Sequence, residues 1–268
     1  MNVAAVDLGI LGPALAAGLL VTATHAPLGI QVLGRGIVFI DLAIAQVAGL
    51  GVIFADSLGF EPQGWAVQAA ALAAALAGAL LLTWTEKRWP EVQEAVIGTT
   101  FILAASGALL LLAANPHGGE HLKELLVGQI LWVNWPRLLP VALAYAVILA
   151  LWFGMRERIG RIGFYLLFAA TVTVSVQLVG LYLVFATLIV PALATHSLRR
   201  RRLAICYALG ACGYALGLLA SAVFDLPSGA VIVWALGLLA LPVFAYGARS
   251  PAGRGRIDPA QGAVKLRS

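Results

Sequence analysis

Long apolar segments separated by short polar turns dominate this chain. Most are close to the roughly 20 residues that a helix needs to cross about 30 Å of hydrocarbon. They cover about 9–26, 37–56, 65–84, 95–114, 138–154, 163–195, 203–224 and 229–247. Because lipid offers no hydrogen-bond partner to the backbone, segments of this kind must be helical. The predicted fold is an all-α polytopic membrane protein, a bundle of eight or nine transmembrane helices with one broken or re-entrant segment near 163–195.

Composition leaves little room for a soluble part. Hydrophobic residues make up 62% of the chain and charged residues 11%, whereas a soluble domain has about 25% charged residues. We therefore expect one transmembrane domain over residues 1–248. The rest, residues 249–268, is rich in Gly, Pro and Arg without apolar periodicity, which predicts a disordered basic cytoplasmic tail.

The segment 163–195 is too long for one ordinary span, and the positive-inside rule favours two passes or one pass plus a re-entrant hairpin. With two passes, 15 of the 17 basic residues lie inside and only Lys123 and Arg137 lie outside. With one pass, Arg199–Arg202 falls opposite Arg156–Arg161. The middle of the segment, from Ser175 to Gly180, offers polar and flexible residues where the chain can turn. The N-terminus is then outside and the C-terminus inside.

Among the polar side chains within the apolar segments, four are candidates for a translocation path: Asp41, Gln46, Ser175 and Gln177. A carboxylate inside a membrane costs about 2.5–3.5 kcal/mol on insertion scales, so it is expected to face a protein interior or a water-filled path. The plain alternative for Asp41 is an ion pair or hydrogen bond between helices. For the two glutamines, interhelical hydrogen bonds are the favoured alternative.

Three histidines are candidate metal ligands. His25 is predicted to end the first span near the inner face, where solvation is the plainer interpretation. His117 and His121 lie four residues apart in an outer loop, so a helix would place them on one face. Gly118 and Gly119 between them weaken that helix.

Sequence motifs of the common catalytic sites are missing. No Lys follows a Gly as a P-loop requires, and neither HExxH nor GxSxG occurs. We therefore expect a protein that is not an enzyme and has no nucleotide site of its own. Small residues at spacing four, Ala69/Ala73/Ala77 and Gly213/Gly217, suggest close helix contacts, although alanine is also simply a good helix former.

Three stretches together carry a family resemblance. Residues Arg35–Gln46 (RGIVFIDLAIAQ), with His25 before them, resemble the second-helix signature of the ABC-type metal-ion permeases, the zinc/manganese importer family. Residues Leu125–Val133 (LLVGQILWV) and Ser175–Ala194 (SVQLVGLYLVFATLIVPALA) are similar to two further motifs of that family, in the same order.

The resemblance implies a homodimeric permease in a bacterial plasma (inner) membrane, embedded in the lipid bilayer around one central path. It implies a cytoplasmic ABC ATPase subunit and an extracytoplasmic metal-binding protein as partners, and no nucleic acid. The transported species is a divalent metal ion, Zn²⁺ first and otherwise Mn²⁺ or Fe²⁺, with no cofactor bound by this chain.

Two departures from the family pattern affect site residues. Many members place His four residues after the Asp, whereas this chain has Ala45 there and Gln46 next. Asp41 and Gln46 are about 140° apart on a helix and do not share a face well. The loop before the long apolar segment is short and basic, which makes Arg156, Arg158 and Arg161 candidates for ATPase docking.

Two other function classes remain open. An ion-coupled secondary transporter would work without an ATPase and would favour more buried ionisable groups than one Asp. If the chain is a non-transporting membrane scaffold, replacing Asp41 with alanine would leave the metal content of the cell unchanged.

Overall fold

The structure is a computed structural model that describes residues 8–61, 64–112, 130–155, 158, 160–198 and 200–249. Within these ranges the chain forms nine α-helices and two short 3₁₀ turns, Pro90–Val92 and Ile130–Trp132. The helices are α1 Leu8–Arg35, α2 Ile40–Ser57, α3 Trp65–Arg88, α4 Gln93–Leu112, α5 Trp135–Gly154, α6 Gly160–Val179, α7 Leu181–Ala194, α8 Arg202–Phe224 and α9 Ser228–Arg249.

In the described part of the chain, seven helices are long and apolar enough to cross a bilayer, namely α1, α2, α3, α5, α6, α8 and α9. α7 and the apolar part of α4 are shorter. This confirms the predicted all-α polytopic bundle. The predicted tail lies outside the described residues except for Arg249, which ends α9.

Basic side chains gather at one end of the bundle, here called the basic end. Arg35 closes α1 and stacks over the ring of Phe164 at the start of α6, 4.1 Å from its centroid. Arg161 lies 3.5 Å from Glu86, near the end of α3. At the opposite end, Trp135 at the start of α5 approaches Gly12 near the start of α1. By the positive-inside rule the basic end is the cytoplasmic one.

The segment 163–195 folds as two helices of unequal length, α6 and α7, joined at Gly180. Gly180 has φ +85° and ψ 160°, a backbone conformation that essentially only glycine adopts without strain. α6 starts at the basic end, and α7 returns there, because Arg202 at the start of α8 donates to the Ala192 carbonyl. The predicted break between Ser175 and Gly180 is therefore confirmed, and the helix after it, with 14 residues, is shorter than a full span.

The α6–α7 hairpin joins the two halves of the bundle. α6 packs against α2 and α3, and α2 in turn packs on α3 and α4. α7 instead packs against α1 and α9, while α8 packs on both α1 and α9. Each arm of the hairpin thus belongs to a different group of helices, so a relative movement of the halves must bend the chain near Gly180.

The first helix is longer than the apolar pattern predicted. It continues past residue 26 to Arg35 and ends in a Schellman-type turn, in which Gly36 has φ +73° and the Ile37 N–H donates to the Val32 carbonyl. His25 therefore lies in the interior of α1. The prediction that it sits at the inner end of the span is wrong, because the helix incorporates Pro27 and runs on.

Glycines rather than alanines make the close helix contacts. A Cβ on Gly217 would lie 2.5 Å from the Ile232 Cα, and one on Gly213 would lie 2.3 Å from a Leu236 methyl, so α8 and α9 pack almost backbone to backbone. The predicted alanine stripe on α3 is instead exposed, and the buried face of that helix is offset by two residues, at Ala71, Ala75 and Ala79.

Replacing Gly217 with alanine should destabilise the protein by about 1–3 kcal/mol, the usual cost of overpacking a filled contact. The added methyl group meets the backbone of α9, which cannot rotate away. The measurement is thermal unfolding in detergent. Gly237→Ala, where nothing lies within 4 Å of the new Cβ, is the matched control and should keep the parental transition. Equal transitions for both variants would contradict the packing of α8 on α9.

Candidate functional site

Asp41 is the buried acid of the bundle. It lies in the first turn of α2, where the helix dipole favours negative charge. Its side chain is fully buried, and neither carboxylate oxygen has a hydrogen-bond partner among the described residues. The backbone N–H groups of Asp41 and Leu42 face the carboxylate without reaching good hydrogen-bond geometry. The helix terminus is therefore its main compensation among the described residues.

The two candidate glutamines lie on the outside of the protomer. Gln46 is half-buried and Gln177 is exposed, whereas Asp41 is completely enclosed. The expectation that Asp41 and Gln46 do not share a helix face is confirmed. The two amides are therefore accessible from outside this chain, whereas the Asp41 carboxylate is not.

Ser175 is engaged in a helix-to-helix hydrogen bond. Its Oγ donates to the Thr171 carbonyl at 2.7 Å, and it also makes a short contact with the Tyr145 hydroxyl of α5. Since a serine has one proton to donate, Tyr145 is the donor in that contact. Ser175 and Gln177 are two residues apart, and the helix turns one inward and the other outward.

His25 is the buried imidazole of the bundle. Its Nδ1 lies 2.9 Å from the Val21 carbonyl and 3.1 Å from the Thr24 hydroxyl, which makes Nδ1–H the donor to the carbonyl. Nε2 is buried and has no partner among the described residues. This tautomer leaves a nitrogen lone pair on Nε2, which is the atom that could bind a metal ion.

The remaining candidate residues lie at the two ends. His117, His121 and Arg156 are outside the described residues. Arg158 is exposed at the basic end, and Arg161 forms the ion pair with Glu86. Across residues 8–61, 64–112, 130–155, 158, 160–198 and 200–249, no three His, Cys, Asp or Glu side chains come together as a metal site.

Sequence reasoning missed Glu94 and Phe39. Glu94 precedes the apolar segment by one residue, yet its Oε1 accepts a hydrogen bond from the Phe39 N–H at 3.4 Å, just before α2. Phe39 stacks on Phe185 of α7, with ring centroids 6.3 Å apart and planes 3° from parallel. A signal was present in the sequence, because Glu94 stands in the first turn of a helix, where carboxylates are favoured.

Comparisons with known proteins agree with this architecture. The family model described as the ABC 3 transport family matches residues 7–160 and 152–247. The structure of PsaBC from Streptococcus pneumoniae in complex with Fab is similar with a TM-score of 0.69 and 21% identity, covering 92% of each chain. A metal-chelate type ABC transporter in an inward-facing conformation is similar with a TM-score of 0.64 and 15% identity, covering 87% of this chain and 85% of that one.

Replacing Ser175 with alanine should cost about 1–3 kcal/mol of stability, because the Tyr145 hydroxyl is then buried without its partner. Tyr145→Phe in the same background should recover part of that loss, since it removes the orphaned group. A double-mutant cycle on unfolding in detergent measures the coupling. Strictly additive effects of the two substitutions would show that no hydrogen bond joins α5 to α6 here.

Proposed function

This chain belongs to the ABC 3 transport family, and we propose that it is the permease subunit of an importer for a divalent transition-metal ion. Zinc is the first candidate, with manganese or iron as the alternatives. ATP is hydrolysed by a separate ABC subunit, because this chain carries no P-loop lysine. The family match over most of the chain supports a transport role, and the fold similarity to a metal-chelate type ABC transporter supports a metal-containing substrate.

The burial of the Asp41 carboxylate is the main observation that supports a cationic substrate. It is fully enclosed and has no hydrogen-bond partner among the described residues. An uncompensated charge in such a place is costly, and a cation arriving beside it removes that cost. The same carboxylate also replaces part of the hydration shell that a dication loses on leaving water.

Amide oxygens complete the proposed path. Gln46 and Gln177 lie on the protomer surface. Their carbonyl oxygens coordinate the ion before it reaches Asp41. Ser175 contributes indirectly, by fixing α6 against α5. His117 and His121 are proposed to capture metal at the outer end, and His25 to offer Nε2 within the bundle.

Partners are assigned to the two ends. The ATPase docks at the basic end, which faces the cytoplasm at the plasma membrane. Its proposed contacts are Arg156, Arg158 and Arg161. A metal-binding protein delivers its cargo at the opposite end. Two copies of the permease enclose one path, so the surface that carries Gln46 and Gln177 faces the second copy.

Co-purification in mild detergent tests this assignment. An ABC ATPase subunit should be recovered with the tagged permease, and Zn²⁺ or Mn²⁺ should stimulate its hydrolysis of ATP after reconstitution. Metal uptake without any associated ATPase would instead identify an ion-coupled secondary transporter. If no ATPase is recovered and no metal is taken up, the remaining function is that of a membrane scaffold.

Asp41→Asn should reduce metal uptake by about tenfold or more while assembly stays intact, because losing about 1.4 kcal/mol of stabilisation in the rate-limiting step lowers a rate tenfold. The measurement is cellular metal content by mass spectrometry, alongside metal-stimulated ATP hydrolysis.

Asp56→Asn is the matched control for that variant. Asp56 lies in the last turn of the same helix and is only half-buried, so its replacement should leave uptake unchanged. Parental uptake in a normally expressed Asp41→Asn variant would exclude a role for the Asp41 charge.

A further inference from the structure

Phe39 and Phe185 bring together two helices that otherwise have little contact. Phe39 is the residue before α2, and Phe185 lies in the second turn of α7, so the pair connects the two groups of helices described above. The rings are nearly parallel, with centroids 6.3 Å apart. Phe39 is nevertheless 49% exposed on the protomer surface. A stacked aromatic pair with one ring partly exposed can pack against another protein surface and exclude water from the space between them.

Polar side chains lie on the same surface, farther from the basic end. Gln46 is seven residues beyond Phe39, so it lies on the same helix face about 10 Å along the axis. Tyr182, 54% exposed, lies one turn of α7 farther from the basic end than Phe185. Gln177 is exposed just before the hairpin turn. Polar groups at this depth are expensive when they face lipid.

A carboxylate lies on the other side of the aromatic pair. Glu94 begins α4 near the basic end and accepts a hydrogen bond from the Phe39 N–H. Along α2 and α7, the order towards the basic end is therefore the amide of Gln46 and the phenol of Tyr182, then the two phenyl rings, with the Glu94 carboxylate bound to the backbone of Phe39. Polar stretches separated by a short hydrophobic constriction are typical of a path that closes by excluding water.

We infer that Phe39 and Phe185, together with the same pair from a second copy of this chain, form the cytoplasmic-side hydrophobic seal of the translocation path. The inference rests on the proposed function, because a seal needs a path to close. The second copy is the occupant of this surface because glutamine amides both donate and accept, so Gln46 and Gln177 find complementary partners in an identical surface related by a two-fold axis. The seal excludes water and ions between cycles and opens when the halves of the bundle separate at the α6–α7 hairpin.

Passive leak from proteoliposomes tests the seal. The permease with its co-purifying ATPase is reconstituted around entrapped Mn²⁺ without ATP, and efflux is followed with an external metal-sensitive dye. Phe39→Ala and Phe185→Ala should each raise efflux about tenfold, as expected when about 1.4 kcal/mol is removed from a barrier. Phe185→Trp keeps an aromatic plug and should stay tight.

Phe153→Ala is the matched control for the leak. Phe153 is 51% exposed on α5 and is not part of the aromatic pair, so its removal should not raise efflux. Tight vesicles for both seal variants, in a complex that takes up metal with ATP, would overturn the seal and leave the proposed function standing. Loss of ATP-driven uptake in the parental complex would count against the proposed function, whereas the leak comparison would still decide on the seal.

The identity of the facing surface has its own measurement. In a Cys212→Ser background, Gln177→Cys and Tyr182→Cys should react with a water-soluble maleimide or cross-link two copies under mild oxidation. Phe153→Cys should do neither. Quenching of labels at positions 177 and 182 by lipid-borne nitroxides, without any cross-link, would place this surface against lipid and overturn the inference.

Discussion

The hydrocarbon core of a bilayer offers no hydrogen-bond partners, and this constraint determines where the polar side chains of the bundle lie. Many of the hydroxyl groups donate to a backbone carbonyl one turn earlier in their own helix, as Thr83 and Thr173 do, and a few pair across helix contacts. Tyr145 pairs with Ser175, and the Tyr214 hydroxyl lies 2.9 Å from that of Thr187. Each pair joins two helices at a point where an unpaired hydroxyl would cost more than it costs in a soluble protein. Such pairs therefore fix the helices relative to one another.

Some polar side chains of the bundle have no hydrogen-bond partner of this kind. The Asp41 carboxylate and the His25 Nε2 are buried without partners among the described residues, and Gln177 is exposed two residues before the end of α6. Thr22 Oγ1 and Glu94 Oε2 are also buried without a hydrogen-bond partner among these residues, so the lack of a partner is shared by groups outside the candidate site. A mobile cation fits the Asp41 carboxylate, and water in a path fits the His25 nitrogen. A second copy of the chain fits the Gln177 amide.

The carbonyl of Pro191 fastens the end of α7. It accepts hydrogen bonds from the Thr195 hydroxyl at 2.8 Å and from the Cys206 thiol at 3.3 Å, so the end of α7 is fastened to α8. Its other end meets the flexible Gly180. Pro191 is thus part of an anchored contact between α7 and α8.

Much of this architecture could be predicted from the sequence because lipid restricts the possibilities. Segment length and the distribution of arginines were sufficient to predict that the segment between residues 163 and 195 is broken and returns to the basic end. The direction of a side chain around its helix was harder to predict. Ser175 and Gln177 look equivalent in the sequence, yet one is buried against Tyr145 and the other is exposed. That direction depends on which helices are neighbours.

Helix ends were the second source of error. His25 was expected at an interface because the apolar pattern weakens after residue 26, but α1 passes through Pro27 and stops only where Gly36 permits a left-handed turn. Glu94 was missed for the opposite reason, since it lies just outside an apolar run and yet inside the first turn of α4. Tertiary packing extended the helices beyond the hydrophobic segments, and it brought charged and polar residues into the bundle.

The donor atoms available to an ion also bear on which metal this permease would carry. Asp41, Gln46 and Gln177 offer only oxygen, which suits manganese better than zinc, whereas imidazole nitrogen suits zinc. Of the two histidines within the described residues, His196 lies at the basic end with its ring stacked on Phe244, close to Arg200–Arg202, where a dication is repelled. His25 is the other, and its ring is enclosed in the bundle with Nε2 unpartnered among those residues. A preference for zinc within the bundle therefore depends on His25 reaching the ion that Asp41 attracts, and a path of oxygens alone favours manganese.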